Sequence, residues 1–182
     1  MKLLIVGCCG FAGSSIARAL SDTAEGISIT GLDNLSRKGS EINLSLLKKL
    51  DVDFLHGDVR LASDLDALPT VDWVIDCAAN PSVLAGVVGH ASSRQLLEHN
   101  LLGTINLLEY CKERKSGLIM LSTSRVYSVR ELGNIPTSEH DNQFAPIENF
   151  SDLGISSRGI SEDFPTIAPI SLYGASKLAS EA

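Results

Sequence analysis

One short stretch near the amino terminus constrains the fold more than any other: Val6-Gly7-Cys8-Cys9-Gly10-Phe11-Ala12-Gly13. Before it, Leu3-Leu4-Ile5-Val6 reads as a buried strand; after it, Ser14-Ser15-Ile16-Ala17-Arg18-Ala19-Leu20 reads as a helix. Glycines at 7, 10 and 13 allow a tight turn, a close backbone approach to a pyrophosphate, and packing of helix on strand. Phosphate oxygens placed there would meet the helix's unpaired N–H groups and the positive end of its dipole. A second apolar run ends in Gly31-Leu32-Asp33-Asn34, with Asp33 lying 20 residues beyond Gly13. That position suits a carboxylate that accepts hydrogen bonds from adenosine ribose hydroxyls. A dinucleotide site built on Gly7, Gly10, Phe11, Gly13, Asp33 and Asn34 is therefore expected.

The rest of the chain continues the alternation. Strands are predicted over 2–6, 27–32, 52–56, 71–76 and 117–122, and helices over 12–21, 40–50, 60–67 and 94–114. The strands are continuous apolar runs, such as Trp73-Val74-Ile75 and Leu118-Ile119-Met120-Leu121, as in sheets covered on both faces. The expected fold is α/β, a Rossmann-type doubly wound parallel sheet of strand order 3-2-1-4-5. With 182 residues, the chain holds about one domain, and 1–182 is taken as one incomplete dinucleotide-binding domain. Two stretches break the rhythm: 81–93, carrying Gly86 and Gly89, and 128–170, carrying four prolines. The second is expected to be a substrate-facing irregular insertion, because it follows the carboxyl end of the fifth strand. Ile170 to Ala182 reads as the opening of a further helix, so the C-terminal part of the fold is expected to be missing.

Bulk properties narrow the partners. A formal net charge of −7 argues against nucleic acid or an anionic membrane surface as the main partner. No apolar run approaches the roughly 18 residues of a membrane span. The run before Cys8 is too short for a signal peptide, and a cytoplasmic location is expected. Cys8, Cys9, Cys77 and Cys111 lack CxxC spacing, and His56, His90, His99 and His140 are scattered. Reduced thiols are expected, and no metal site.

The chemistry-bearing pattern lies near the end. Tyr173 and Lys177 stand four apart on one face of the last helix. A phenol with an ordinary pKa near 10 is a poor base at neutral pH, and a neighbouring ammonium favours the phenolate. Accidental spacing is the alternative. The fifth strand runs into Ser122-Thr123-Ser124-Arg125-Val126-Tyr127, whose hydroxyls can hold a sugar oxygen and steer its proton to Tyr173.

These residues resemble the extended short-chain dehydrogenase/reductases, the NAD-dependent nucleotide-sugar epimerases and dehydratases. The resemblance spans the whole chain. It rests on Gly7/Gly10/Gly13, Asp33-Asn34, Gly57-Asp58-Val59, Ala78-Ala79, Asn100, Ser122-Thr123 and Tyr173 with Lys177. Within the family, Met1 to Ile5 and Asp33 to Gly39 are most similar to the 2-epimerases of CDP-linked sugars. The resemblance implies NAD as cofactor and a nucleotide-diphosphate sugar as substrate. It also implies a homodimer, paired through the helix at 94–114 and the last helix. Asp58 and Val59 would hold adenine, Ala78 and Ala79 would line the groove, and Asn100 would support the active-site hydrogen bonds. Lys177 would also hold the nicotinamide ribose, with Thr123, Tyr173 and Lys177 catalytic. The family's C-terminal substrate domain is expected to be missing. Read from the residues alone, Asp58 also suits a turn and Asn100 a polar helix position, while Arg37 and Lys38 suit a solvated loop or a contact with the adenosine ribose. Dehydratases of the family carry Asp-Glu directly after the active-site Thr; Ser124 and Arg125 stand there, which argues against dehydration. The expected activity is epimerisation through a transient keto-sugar, at C2 if the closer similarity holds. A 4-epimerase, a reductase, or a non-catalytic dinucleotide-binding module are the alternatives.

Overall fold

Strand β1 (Lys2–Val6) takes the centre of the sheet because its residues are apolar toward both faces. Leu4 and Val6 point into one core with Leu32, Val59, Leu65, Val74 and Leu107. Ile5 points into the other, with Cys8, Cys9, Ala17, Ile29, Leu47 and Ile75. A strand buried on both sides reads as an unbroken apolar run rather than an alternating one, and so it does here. The computed structural model describes residues 1–23, 25–87, 92–140, 142–147, 153–156 and 159–182.

The chain runs β1, α1 (Phe11–Thr23), β2 (Ser28–Asp33), a 3₁₀ turn (Ser40–Asn43), α2 (Leu44–Lys49), β3 (Asp53–His56), α3 (Ala62–Asp66) and β4 (Trp73–Asp76). Then follow α4 (Ser93–Leu97), α5 (Gly103–Arg114) and β5 (Gly117–Met120). All five strands are parallel, in the order β3-β2-β1-β4-β5 that the sequence predicts. The order reverses between β2 and β4 on either side of β1, and this switch point opens a crevice at the carboxyl ends of the strands.

Two predicted helices differ in detail. The stretch 40–50 is a 3₁₀ turn running into α2. The stretch 94–114 is interrupted by a π-helical turn, Glu98–Leu102, between α4 and α5. Here Thr104 Oγ1 and Ser180 Oγ both donate to the Asn100 carbonyl, which breaks the regular ladder.

The described part of 128–170 carries more regular structure than its lack of periodicity predicts. It holds α6 (Val129–Asn134), the hairpin β6 (Thr137–His140) with β7 (Gln143–Pro146), and the hairpin β8 (Ile155–Ser156) with β9 (Gly159–Ile160). Elements this short carry too few residues to show a period. The fully buried Ser128 fastens this region, since its N–H donates to Pro165 O at 2.8 Å while the Val129 N–H donates to Pro169 O at 2.9 Å. Helix α7 (Leu172–Glu181) closes the chain. Residues 88–91 of the 81–93 stretch, including Gly89 and His90, and parts of 128–170 lie outside the described residues.

Candidate dinucleotide site and catalytic junction

A cleft of about 280 Å³ sits at the switch point. Its wall comes from the glycine loop (Gly7, Gly10, Phe11), the end of β2 (Asp33, Asn34), Val59, and the end of β4 (Ala78, Ala79). Gly7 has φ +72°, and a β-carbon there would stand 2.9 Å from the Ala78 backbone. Any other residue would push the loop off the end of β4. The first helical bond of α1 runs from Ser14 N–H to Gly10 O at 3.0 Å, leaving the N–H groups of Phe11, Ala12 and Gly13 without a helical acceptor. Gly13 itself stands behind the cleft wall, where α1 packs on the loop.

Asp33 is fixed from two sides. The Cys9 N–H donates to Oδ2 at 2.9 Å and the Leu35 N–H to Oδ1 at 2.8 Å. The carboxylate is held as an acceptor facing the cleft. Cys8 and Cys9 bring their sulfurs and an Asp33 oxygen within 4.8 Å of one another. Burial pushes both thiols up, Cys9 to about 11 and Cys8 further. Both are thiols at neutral pH, so a metal bound there would have to displace their protons.

Asp58 does not itself line the cleft. Arg60 grips both of its oxygens through Nε at 2.9 and 3.1 Å and Nη2 at 2.6 Å, and Asn34 Nδ2 donates to Oδ2 at 2.9 Å. These hydrogen bonds, Arg60's above all, hold the Asp58 carboxyl well below the usual range. His99, on the π turn, is a cleft residue that sequence reasoning missed, because nothing in its spacing marks it. Its Nδ1 lies 2.7 Å from Gln95 O, to which it donates.

Asn100, Tyr173, Lys177 and Thr123 lie elsewhere. Asn100 is fully buried; its amide donates to Asn80 O and Ser176 Oγ, both at 3.1 Å, and its oxygen accepts from Asn80 N–H at 2.8 Å. It ties the segment after β4 to α7. Lys177 is 2% exposed and donates to Leu121 O at 3.0 Å. Asp76, also buried, lies beside it: burial pushes this carboxyl up, against the pull of the Lys177 charge and the Ala78 N–H. Asp76 is a second residue without a sequence signal, reading only as the end of an apolar strand. Thr123 accepts from Arg125 N–H at 3.2 Å and lines a second cleft with Ser122, Ser124, Tyr127, Glu162 and Glu181. In that cleft the Ser122 hydroxyl donates to Glu181. The Tyr173 hydroxyl has no hydrogen-bond partner among the described residues, and neither Tyr173 nor Lys177 lines either cleft.

Residues 3–182 match the family model for the NAD dependent epimerase/dehydratase family. The chain belongs to that family. The CDP-paratose 2-epimerase of Salmonella typhi is 40% identical over 131 residues, covering 70% of this chain and 38% of that protein. UDP-glucuronate 4-epimerase 1 of Arabidopsis thaliana is 28% identical over 184 residues, covering 96% and 41%. The UDP-Glc/GlcNAc 4-epimerase of Campylobacter jejuni superposes with a TM-score of 0.73 at 26% identity, over 99% of this chain and 46% of that one. A UDP-glucuronic acid 4-epimerase variant from Bacillus cereus, solved with NAD, gives 0.69 at 26%, over 100% and 50%. The chain spans about two fifths of the length of the curated relatives it matches.

NAD is the cofactor of the epimerase/dehydratase family, and the cleft fits it. The residues present suit it: the N–H groups of Phe11, Ala12 and Gly13 have no helical acceptor, and the Asp33 carboxylate lining the cleft is an acceptor for hydroxyl groups. Among the described residues, no helix is long and apolar enough to cross a membrane.

Proposed function

We propose that the chain is the cofactor-binding portion of a nucleotide-sugar epimerase working through a transient keto-sugar. The observation that carries this reading is the junction between β5 and α7. The Lys177–Leu121 bond pins α7, and Tyr173 with it, two residues before Thr123. NAD, when bound, supplies reversible hydride acceptance. Gly7, Gly10, Phe11, Asp33, Asn34, Val59, Ala78 and Ala79 would hold it, with Asp58 fixing Asn34 from behind. Tyr173 takes the proton of a sugar hydroxyl and returns it, and the Thr123 hydroxyl orients that sugar oxygen. Lys177 supplies a fixed positive charge on the same face of α7 as Tyr173.

Ser124 and Arg125 in place of an acid–base pair favour epimerisation over dehydration. The similarity to the Salmonella 2-epimerase favours a CDP-sugar and C2; 4-epimerisation is the in-family alternative. A homodimer is part of the proposal, because Leu97, Leu102, Ile105 and Leu108 stand 37–47% exposed along α4 to α5. In this proposal the 182 residues by themselves bind dinucleotide and do not turn over, since the stretch they share with these relatives is only 38–41% of each relative. The test is an epimerase assay on CDP-, UDP- and GDP-sugars with these residues fused to the substrate-binding half of a relative. Exchange at C2 of a CDP-sugar supports the proposal. Water elimination, or turnover by the 182 residues unaided, overturns it.

A further inference from the structure

Among the described residues, Ser40 Oγ is the one buried side-chain polar atom without a hydrogen-bond partner. Ser40 is 8% exposed and lines the dinucleotide cleft with Asp33, Asn34, Ser36 and Arg37. A buried hydroxyl left unpaired is costly, and such groups call for an explanation.

The loop that carries it is built rather than slack. Asp33 and Asn34 each turn back on the chain, accepting from Leu35 N–H at 2.8 Å and Ser36 N–H at 3.0 Å. Leu35 is held at φ +52°, a left-handed conformation that costs a non-glycine residue energy and that clusters at ligand sites. Gly39 follows at φ +94°, and the Ser40 N–H closes a turn onto Arg37 O at 3.0 Å. Asn34 is anchored from behind by Asp58, which Arg60 fixes. Each of these bonds sets where Ser40 stands, yet none uses its hydroxyl.

We propose that Ser40 is a specificity-determining residue for the cofactor: its hydroxyl binds one of the two adenosine ribose hydroxyls, opposite Asp33. This rests on the dinucleotide reading of the cleft. A ribose diol fits better than a phosphate, because the Asp33 carboxylate lines the same cleft and repels an anion at close range. In the free protein the Oγ lies beneath the cleft surface, so it meets the ribose after a χ1 step between staggered positions. The hydroxyl is thus satisfied only in the complex.

The test is calorimetric titration of this chain and its Ser40→Ala variant with ADP, 2′-deoxy-ADP, 3′-deoxy-ADP, NAD and NADP, alongside thermal melts of both free proteins. Wild type is expected to bind ADP about 5- to 10-fold more tightly than the analogue lacking the hydroxyl that Ser40 reads. Ser40→Ala should lose that factor for ADP and lose nothing further with that analogue. The free variant should melt at or above the wild-type temperature, because a methyl replaces an unpaired hydroxyl; a merely structural serine would lower both affinity and melting temperature. Unchanged ADP affinity in Ser40→Ala overturns the proposal while leaving the dinucleotide site intact. A loss confined to 2′-phosphorylated ligands overturns it in favour of a phosphate. If wild type binds neither ADP nor NAD at millimolar concentration, the cofactor reading falls first and the proposal with it.

Discussion

Gly174 lies so close beneath the Arg125 carbonyl oxygen that a β-carbon on it would overlap that oxygen. The contact seats the first turn of α7 against the 3₁₀ turn Ser124–Val126, one residue from Tyr173. Gly174→Ala should therefore destabilise the chain by about 1–3 kcal/mol, the range of overpacked sites. Denaturant midpoints check the loss. An unchanged midpoint would mean the turn yields freely and does not position Tyr173.

Lys177 and Asp76 are both buried, and the lysine's charge acts on the carboxyl. Lys177→Met should cost about 1–3 kcal/mol, because it leaves the Leu121 carbonyl without its donor and removes the charge that favours the Asp76 carboxylate. Adding Asp76→Asn should restore part of that loss. The pH dependence has a definite sign. The folded-state pKa of Asp76 is raised, so the folded state binds the proton first as pH falls. Its contribution to stability is best in acid and declines as pH rises from the ordinary carboxylate range through the raised value. Lys177→Met should make that decline larger, as read by melts across pH 4 to 8.

Asp58 behaves in the opposite sense. Arg60's hydrogen bonds depress its folded-state pKa, so its stabilisation is present above the ordinary aspartate value and is lost as pH falls through the folded one. Arg60→Ala should flatten the stability profile below about pH 4. An acid limb of the same steepness in both proteins counts against the pair.

The cofactor site should prefer NAD to NADP by at least about tenfold, because Asp33 faces the ribose edge with both oxygens already fixed by backbone N–H groups. Asp33→Ser should narrow the ratio. Calorimetric titration with both dinucleotides reads it, and equal or tighter NADP binding by wild type sinks the assignment.

In a longer, active protein, Tyr173→Phe should lower kcat by about 10²–10⁴ while NAD affinity stays within a few-fold, since only proton transfer is lost. Retention of more than about a tenth of kcat would remove Tyr173 from the mechanism.

The sheet was legible because β1, β2 and β4 are short, largely buried apolar runs that recur between helical segments. The glycine loop was legible for a different reason, since only glycine accepts the Gly7 conformation against Ala78. What stayed hidden is set by contacts between distant segments. Asp76 reads as one more strand residue until α7, at the far end of the chain, brings Lys177 beside it. Arg60 gave no sign that it would clamp Asp58, and His99 none that a π turn would aim it at the cleft. The hairpins within 128–170 escaped because they are only two to four residues per strand.

The π turn at Glu98–Leu102 also fixes how this protein can vary in length. A π turn accommodates one residue more than the α-helical path it replaces. Deleting a single residue there would let the helix run on regularly with Leu107, Tyr110 and Cys111 still turned to the core they fill, since the wide turn already absorbs the extra residue. The disturbance would be local, at Asn100, which would lose its place against Asn80 and Ser176. A one-residue change at this point is therefore taken up where it occurs, whereas the same change inside α5 would turn everything after it by about 100°.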